Sequence, residues 1–213
     1  VHRAILAASL LVPALASAQP EVLDAPQGAA TALQDRAYRL QHEFAGAVGF
    51  LPSDAYTKGL FAQGSYALHF NDIIGLQARG AYALSLPTSL RTQLERDFSV
   101  LPTAFPRVLF FVGGDVVFRP LYGKLSVSNA FVVHGEVHLL AGGSAFAFTD
   151  GLTPSLRPAI DVGGGGRLYL GRAASLRLDL VNHVVLAAPG SMTGVTNVLA
   201  LSLGLAINVG GTE

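Results

Sequence analysis

The chain has 213 residues, 14 basic and 14 acidic side chains that cancel to a formal net charge of zero, and no cysteine. That excludes a disulfide framework and a thiolate metal site, and it offers no basic surface for nucleic acid. Hydrophobic residues make up 51% and charged ones only 13%, with 24 glycines, a balance that suits curved, closely packed strands better than a soluble domain with a charged surface.

In chain order, Val1-His2-Arg3, an apolar run from Ala4 to Ala16, and Ala16-Ser17-Ala18 before Gln19 have the start, core and small-residue cleavage site of a secretory signal peptide. Residues 1–18 are therefore expected to be a cleaved leader. Residues 19–42 begin Pro/Ala/Gly-rich and continue through the weakly patterned Thr31 to Leu40; they read as a periplasmic lead-in. No later stretch approaches the ~18 uninterrupted apolar residues of a membrane helix. Export with strands, rather than export with a helix, points to the outer envelope.

A first strand is expected at 43–51, with Phe44, Gly46, Val48 and Phe50 opposed by Glu43, Ala45, Ala47 and Gly49, and Pro52 ending it. The clearest stretch follows. Leu60, Ala62, Gly64, Tyr66, Leu68 and Phe70 alternate with Gln63, Ser65 and His69; after Asn71-Asp72, Ile74, Leu76, Ala78, Gly80, Tyr82, Leu84 and Leu86 alternate with Gln77, Arg79 and Ser85. Successive strand side chains point to opposite faces, so this is an antiparallel hairpin with one apolar and one polar face. Both runs exceed the usual five or six residues of soluble strands and match the roughly 9 to 11 that cross a bilayer at a tilt.

The longest connection, 87–107, carries Thr88-Ser89 as a cap for a short helix from Leu90 to Asp97. Strand 4 is expected at 108–119, with Val108, Phe110, Val112, Val116 and Phe118 against Asp115 and Arg119, and then a medium turn at 120–131. Strand 5, 132–148, sets Val133, Val137, Leu139, Ala141 and Ala145 against His134, Glu136, His138 and Ser144. Strand 6, 157–170, sets Ile160, Val162, Leu168 and Leu170 against Asp161, Arg167 and Tyr169. Strand 7, 175–186, sets Leu176, Leu178, Leu180, Val184 and Leu186 against Arg177, Asp179 and His183. Strand 8, 197–209, sets Leu199, Leu201, Leu203, Leu205, Ile207 and Val209 against Ala200, Ser202, Gly204, Ala206 and Asn208. Eight strands, an even number, put both ends of the barrel region 43–210 on one side of a membrane. The fold class is an all-β, eight-stranded antiparallel up-and-down transmembrane barrel.

With the apolar faces outward, the interior receives Glu43, Asp115, Glu136, Asp161 and Asp179 with Arg79, Arg119, Arg167 and Arg177, joined by His134, His138 and His183. An eight-stranded barrel is only just wide enough for its own side chains, so these charges are expected to pair rather than line a pore. His134-x-Glu136-x-His138 is the one metal-like pattern, but i, i+2 and i+4 spread over about 13 Å at ~3.3 Å per residue, and interior hydrogen bonding is the expected role; no metal or other cofactor is expected. Gly163 to Gly166 lacks the Lys-Ser/Thr of a phosphate loop and reads as room for bulky neighbours such as Arg167 or Tyr169. No hydrolase triad spacing or G-x-S-x-G is present, and an enzyme is not expected.

Several motifs together resemble an outer-membrane β-barrel domain family of myxobacteria and related bacteria: Ala37-Tyr38-Arg39-Leu40, Thr57-Lys58-Gly59-Leu60, Gln93-Leu94-Glu95-Arg96-Asp97-Phe98, Pro120-Leu121-Tyr122-Gly123-Lys124, Val132-Val133-His134, and Asn197-Val198-Leu199 with Leu203-Gly204-Leu205. The resemblance spans 33–210 and implies a fold and a place in the cell outer membrane, with no substrate or catalytic residue. It departs from many outer-membrane barrels at Val209-Gly210-Gly211-Thr212-Glu213, where those proteins end in an aromatic residue. The expected partners are outer-membrane lipid and the barrel-assembly machinery. The expected role is structural or surface-interacting through external loops. Two alternatives are a narrow channel for small solutes and a secreted, lipocalin-like barrel with its apolar faces turned inward.

Overall fold

The computed structural model describes residues 36, 38–52, 57–89, 93, 96, 97, 107–127, 131–149, 154–187 and 194–210. They belong to one compact unit, Gln34–Glu213. The expected leader, and the lead-in up to residue 35, lie outside the described residues. So does most of the helix expected in the long loop, of which Ser89, Gln93, Arg96 and Asp97 are described as helical.

Eight strands form: β1 (His42–Leu51), β2 (Thr57–His69), β3 (Ile74–Pro87), β4 (Arg107–Val127), β5 (Phe131–Thr149), β6 (Pro154–Tyr169), β7 (Ala174–Val185) and β8 (Thr196–Val209). Each pairs antiparallel with its sequence neighbours, and β1 closes on β8. Closure leaves no free edge over the height the strands share.

The register fixes the barrel's shape. Ile207 pairs with Phe44, then Tyr66, Ala78, Gly114, Gly143, Ile160 and Val184 follow around the wall, and Val184 pairs with Asn197. One circuit thus returns to β8 ten residues away from its start, 207 − 197. A shear of ten residues at ~3.3 Å each, over eight strands spaced ~4.8 Å, tilts the strands by about 40° and sets the wall about 16 Å across between backbones.

Two bulges in β4 change which side chains face inward, and alternation alone does not show them. The register shifts between Val108 and Phe110, so Val108 packs against the interior apolar cluster instead of sharing the outer face with Phe110. It shifts again between Phe118 and Leu121, around Pro120. The expected medium turn at 120–131 is therefore a continuation of both strands, and the connection shrinks to 128–130. Pro120 is tolerated because it lies inside this break in the β4–β5 ladder, while the neighbouring Arg119 N–H still donates to the Ile73 carbonyl at 2.7 Å. The bulge also turns Tyr122 inward, where it is buried, while Leu121 is exposed.

Toward the end that carries the longer loops, Leu51, Phe61, Phe111, Phe146, Phe148, Val185 and Val198 form an apolar cluster across the barrel. Val117, Leu140 and Val181 form a smaller one. Toward the end with the short turns, Leu40 and Tyr38 pack with Tyr122 and Tyr169. The buried charges occupy the space between these ends.

Candidate functional site: a charged interior in an apolar wall

Alternation on long strands puts one acid or base from almost every strand into the lumen, and closure brings residues far apart in sequence into contact. Glu43 is fully buried; it accepts from Arg177 Nη1 at 2.6 Å, from Arg167 Nη2, and from His69 Nε2 at 3.1 Å. Arg177 also reaches Asp179 and Gln77, each at 3.0 Å. Asp179 in turn accepts from His138 Nε2 at 2.7 Å. Glu136 accepts from the Tyr169 hydroxyl at 2.9 Å and lies 3.1 Å from Arg167 and 3.7 Å from Arg119. Arg119 donates besides to the Asn71 backbone carbonyl at 2.7 Å.

A second group sits beside the first, nearer the apolar cluster. Arg79 Nη2 bridges Asp115 at 3.0 Å and Asp161 at 2.8 Å. Asp161 also accepts from the Ser144 hydroxyl at 2.7 Å and from His183 Nδ1 at 2.6 Å. The His183 ring packs against Phe111 and Phe146 with centroids 5.3 and 4.8 Å away. Isolated ions in such a place cost several kcal/mol each, and pairing with further hydrogen bonds offsets that cost.

Of the sequence-selected residues, Glu43, Arg79, Asp115, Arg119, Glu136, His138, Asp161, Arg167, Arg177, Asp179 and His183 are all buried inside. His134 is only half-buried and meets rings, Tyr38 edge-on and Tyr122 at a tilt. His134, Glu136 and His138 therefore go to three different sets of partners. Among the described residues no three His, Asp or Glu side chains gather to hold a metal.

The four-glycine run makes room for different neighbours than Arg167 or Tyr169. A Cβ on Gly165 would meet Asp179 Oδ1 at 2.4 Å and His138 Nε2 at 2.8 Å, so that glycine leaves space for the His138–Asp179 pair. Residues that sequence reasoning left out of the interior set are Arg36 and Tyr38 from the lead-in, and the stacked Phe111 and Phe146. The uninterrupted run Val108-Leu109-Phe110-Phe111-Val112 was the available signal, since apolar residues on both faces mean burial on both.

The outer wall is the reverse. Leu199, Leu201, Leu203, Leu205, Ile207 and Val209 are 38–60% exposed on β8, while their inward neighbours Val198, Ala200, Ser202 and Ala206 are buried. The arrangement that a lipocalin-like binder needs, apolar inside and charged outside, is absent from the described strands. What the interior carboxylates do in this arrangement is hold basic side chains: each of the five is engaged by an arginine or a histidine.

The class defined by these features is a closed, eight-stranded, up-and-down barrel of the outer-membrane type. No family model and no curated protein matches the sequence, so the motif resemblance to a myxobacterial family is not among the findings. Among solved structures, the N-terminal β-barrel domain of OprF from Pseudomonas aeruginosa is 9% identical with a TM-score of 0.48, covering 80% of this chain and 98% of that one. Neisserial surface protein A is 13% identical with a TM-score of 0.47, covering 79% and 96%. The attachment invasion locus protein Ail of Yersinia pestis is 14% identical with a TM-score of 0.40, covering 79% and 96%. At those scores the assignment of the fold rests on the chain's own strand pairing.

Proposed function

We propose that this chain is a small integral outer-membrane barrel whose lumen is closed by paired charges, and whose role is structural or surface-interacting through its external loops. The observation that carries the reading is the inversion of polarity: Leu205 on the outside is 59% exposed, whereas Arg119 inside is 1% exposed. In water such a wall would present apolar side chains around its whole girth; in lipid it is the expected surface.

The height of the apolar band agrees. Leu199 to Val209 spans about 33 Å along β8 at ~3.3 Å per residue, and at a tilt of about 40° that is roughly 25 Å, the height of the lipid-facing band of such barrels. Outward aromatics fall in two groups on β1 to β4, with Phe44, Tyr66 and Phe118 toward the short turns and Tyr82 and Phe110 toward the loops, where amphipathic rings anchor at interfaces.

The role in surface contact is inferred from what remains once the lumen is closed: only the loops and rims are left to meet a partner. The test is fractionation of cells expressing the full chain. The protein should stay with outer-membrane fragments through high-salt washing and leave them folded only in detergent. A folded, monodisperse form in detergent-free buffer would contradict the reading.

A further inference from the structure

Glu136 lies within 4 Å of two guanidiniums carried on strands, Arg119 and Arg167. A third comes from in front of β1. The Arg36 side chain is only 5% exposed, lies 3.6 Å from Glu136 and donates to the backbone carbonyl of Arg119 at 3.0 Å. Its guanidinium sits 5.4 Å from the centre of the Tyr122 ring.

The next residues continue the same face. Tyr38 stacks on Tyr169 with centroids 5.0 Å apart and meets His134 edge-on at 5.1 Å, and Leu40 is buried with Tyr122 and Tyr169. Arg39 points the other way; its side chain is 57% exposed, 3.9 Å from Asp72. Arg36, Tyr38 and Leu40 therefore turn their side chains into the mouth between the short turns. The prolonged β4–β5 hairpin supplies Tyr122 and His134 as the wall they rest on. A plain turn at 120–131 would not have provided the Tyr122 ring.

We propose that residues 36 and 38–40 are a stopper seated in this mouth, which brings a third guanidinium to Glu136 and keeps water from the Glu43–Arg167–Glu136 layer. The inference goes beyond the membrane assignment and holds equally for the folded barrel in detergent. The contacts described for Arg36, Tyr38, Arg39 and Leu40 lie outside the strand ladders, so the segment can leave without opening any strand pair. Withdrawal would expose the buried acids to water at this end while the apolar cluster still closes the other.

The chain has no cysteine, which makes thiol protection a clean measure. Ser175, on the inner face of β7 near the mouth, is fully buried and its hydroxyl has no hydrogen-bond partner. In the full chain Ser175→Cys should react slowly with a charged methanethiosulfonate reagent; with Arg36→Ala and Tyr38→Ala added, labelling should accelerate at least about tenfold. Unchanged slow labelling in the folded triple variant overturns the proposal, as does fast labelling without the added substitutions. A second measurement does not depend on those variants folding: Leu40→Cys should be protected and Arg39→Cys should label as an exposed thiol. Equal rates at the two positions overturn the stopper.

Discussion

Glu43 on β1 accepts a hydrogen bond from Arg177 on β7 at 2.6 Å, across 134 residues of sequence. The contact passes over the inner face of β8, where Gly204 pairs with both Ala47 and Arg177. A Cβ at Gly204 would fall 2.6 Å from the Ala47 side chain, so glycine is what fits on β8 beside Arg177. The pair thus depends on barrel closure, and closure depends in turn on an interior that satisfies its ions.

Replacing Glu43 by Gln keeps the volume and removes the charge that Arg167, Arg177 and His69 share. Leaving guanidiniums buried without their acid should cost about 3–5 kcal/mol. The measurement is the urea midpoint of unfolding in lipid vesicles, which should fall well below that of the wild type. An unchanged midpoint would mean that the interior is wet enough to solvate the two arginines.

Phe111 is fully buried and stacks on Phe146 with centroids 4.8 Å apart. Phe111→Ala should lower stability by about 3–5 kcal/mol, the usual cost of an emptied aromatic site. The intact apolar cluster also predicts that reconstituted wild-type protein carries no steady current in planar bilayers. Reproducible open-channel conductance from the wild type would replace this account with the channel reading.

Glycines separate by face. A Cβ on Gly142 would meet the Gly114 carbonyl oxygen at 2.1 Å and Asp115 at 2.6 Å, whereas one on Gly46 or Gly64 meets nothing within 4 Å. Gly142→Ala should therefore disturb the Arg79–Asp115 contact and destabilise the barrel. Gly46→Ala should be neutral or stabilising by about 0.4–1 kcal/mol, through the loss of freedom in the unfolded chain. Paired unfolding curves of the two variants check the difference.

The strands were legible because lipid and lumen demand opposite side chains at every step; Leu199 to Val209 against Ala200 to Asn208 shows the period without any structure. The inward position of Arg79 or Asp161 follows from that period alone. The period could not reveal a bulge, because an extra residue leaves no mark on composition, and so Val108 and the 120–131 segment were misplaced. Nor could it reveal the apolar cluster at one end of the lumen, since Phe111 and Phe146 lie in runs hydrophobic on both faces. Arg36 and Tyr38 were illegible for another reason: three alternating contacts are too few to stand out from an irregular lead-in. Which acid meets which base depends on the shear of the closed wall, a quantity set by all eight registers together.

The account stands most directly on the facing of β8. Single cysteines at 199, 201, 203 and 205 should be labelled by a lipid-soluble thiol reagent in reconstituted vesicles, and those at 200, 202 and 204 should be protected. The same facing makes Leu201→Arg cost about 2–4 kcal/mol near the bilayer centre. Labelling at 200, 202 and 204 with protection at the leucine positions would contradict it, because the apolar faces would then be the interior and the buried ion pairs would not exist.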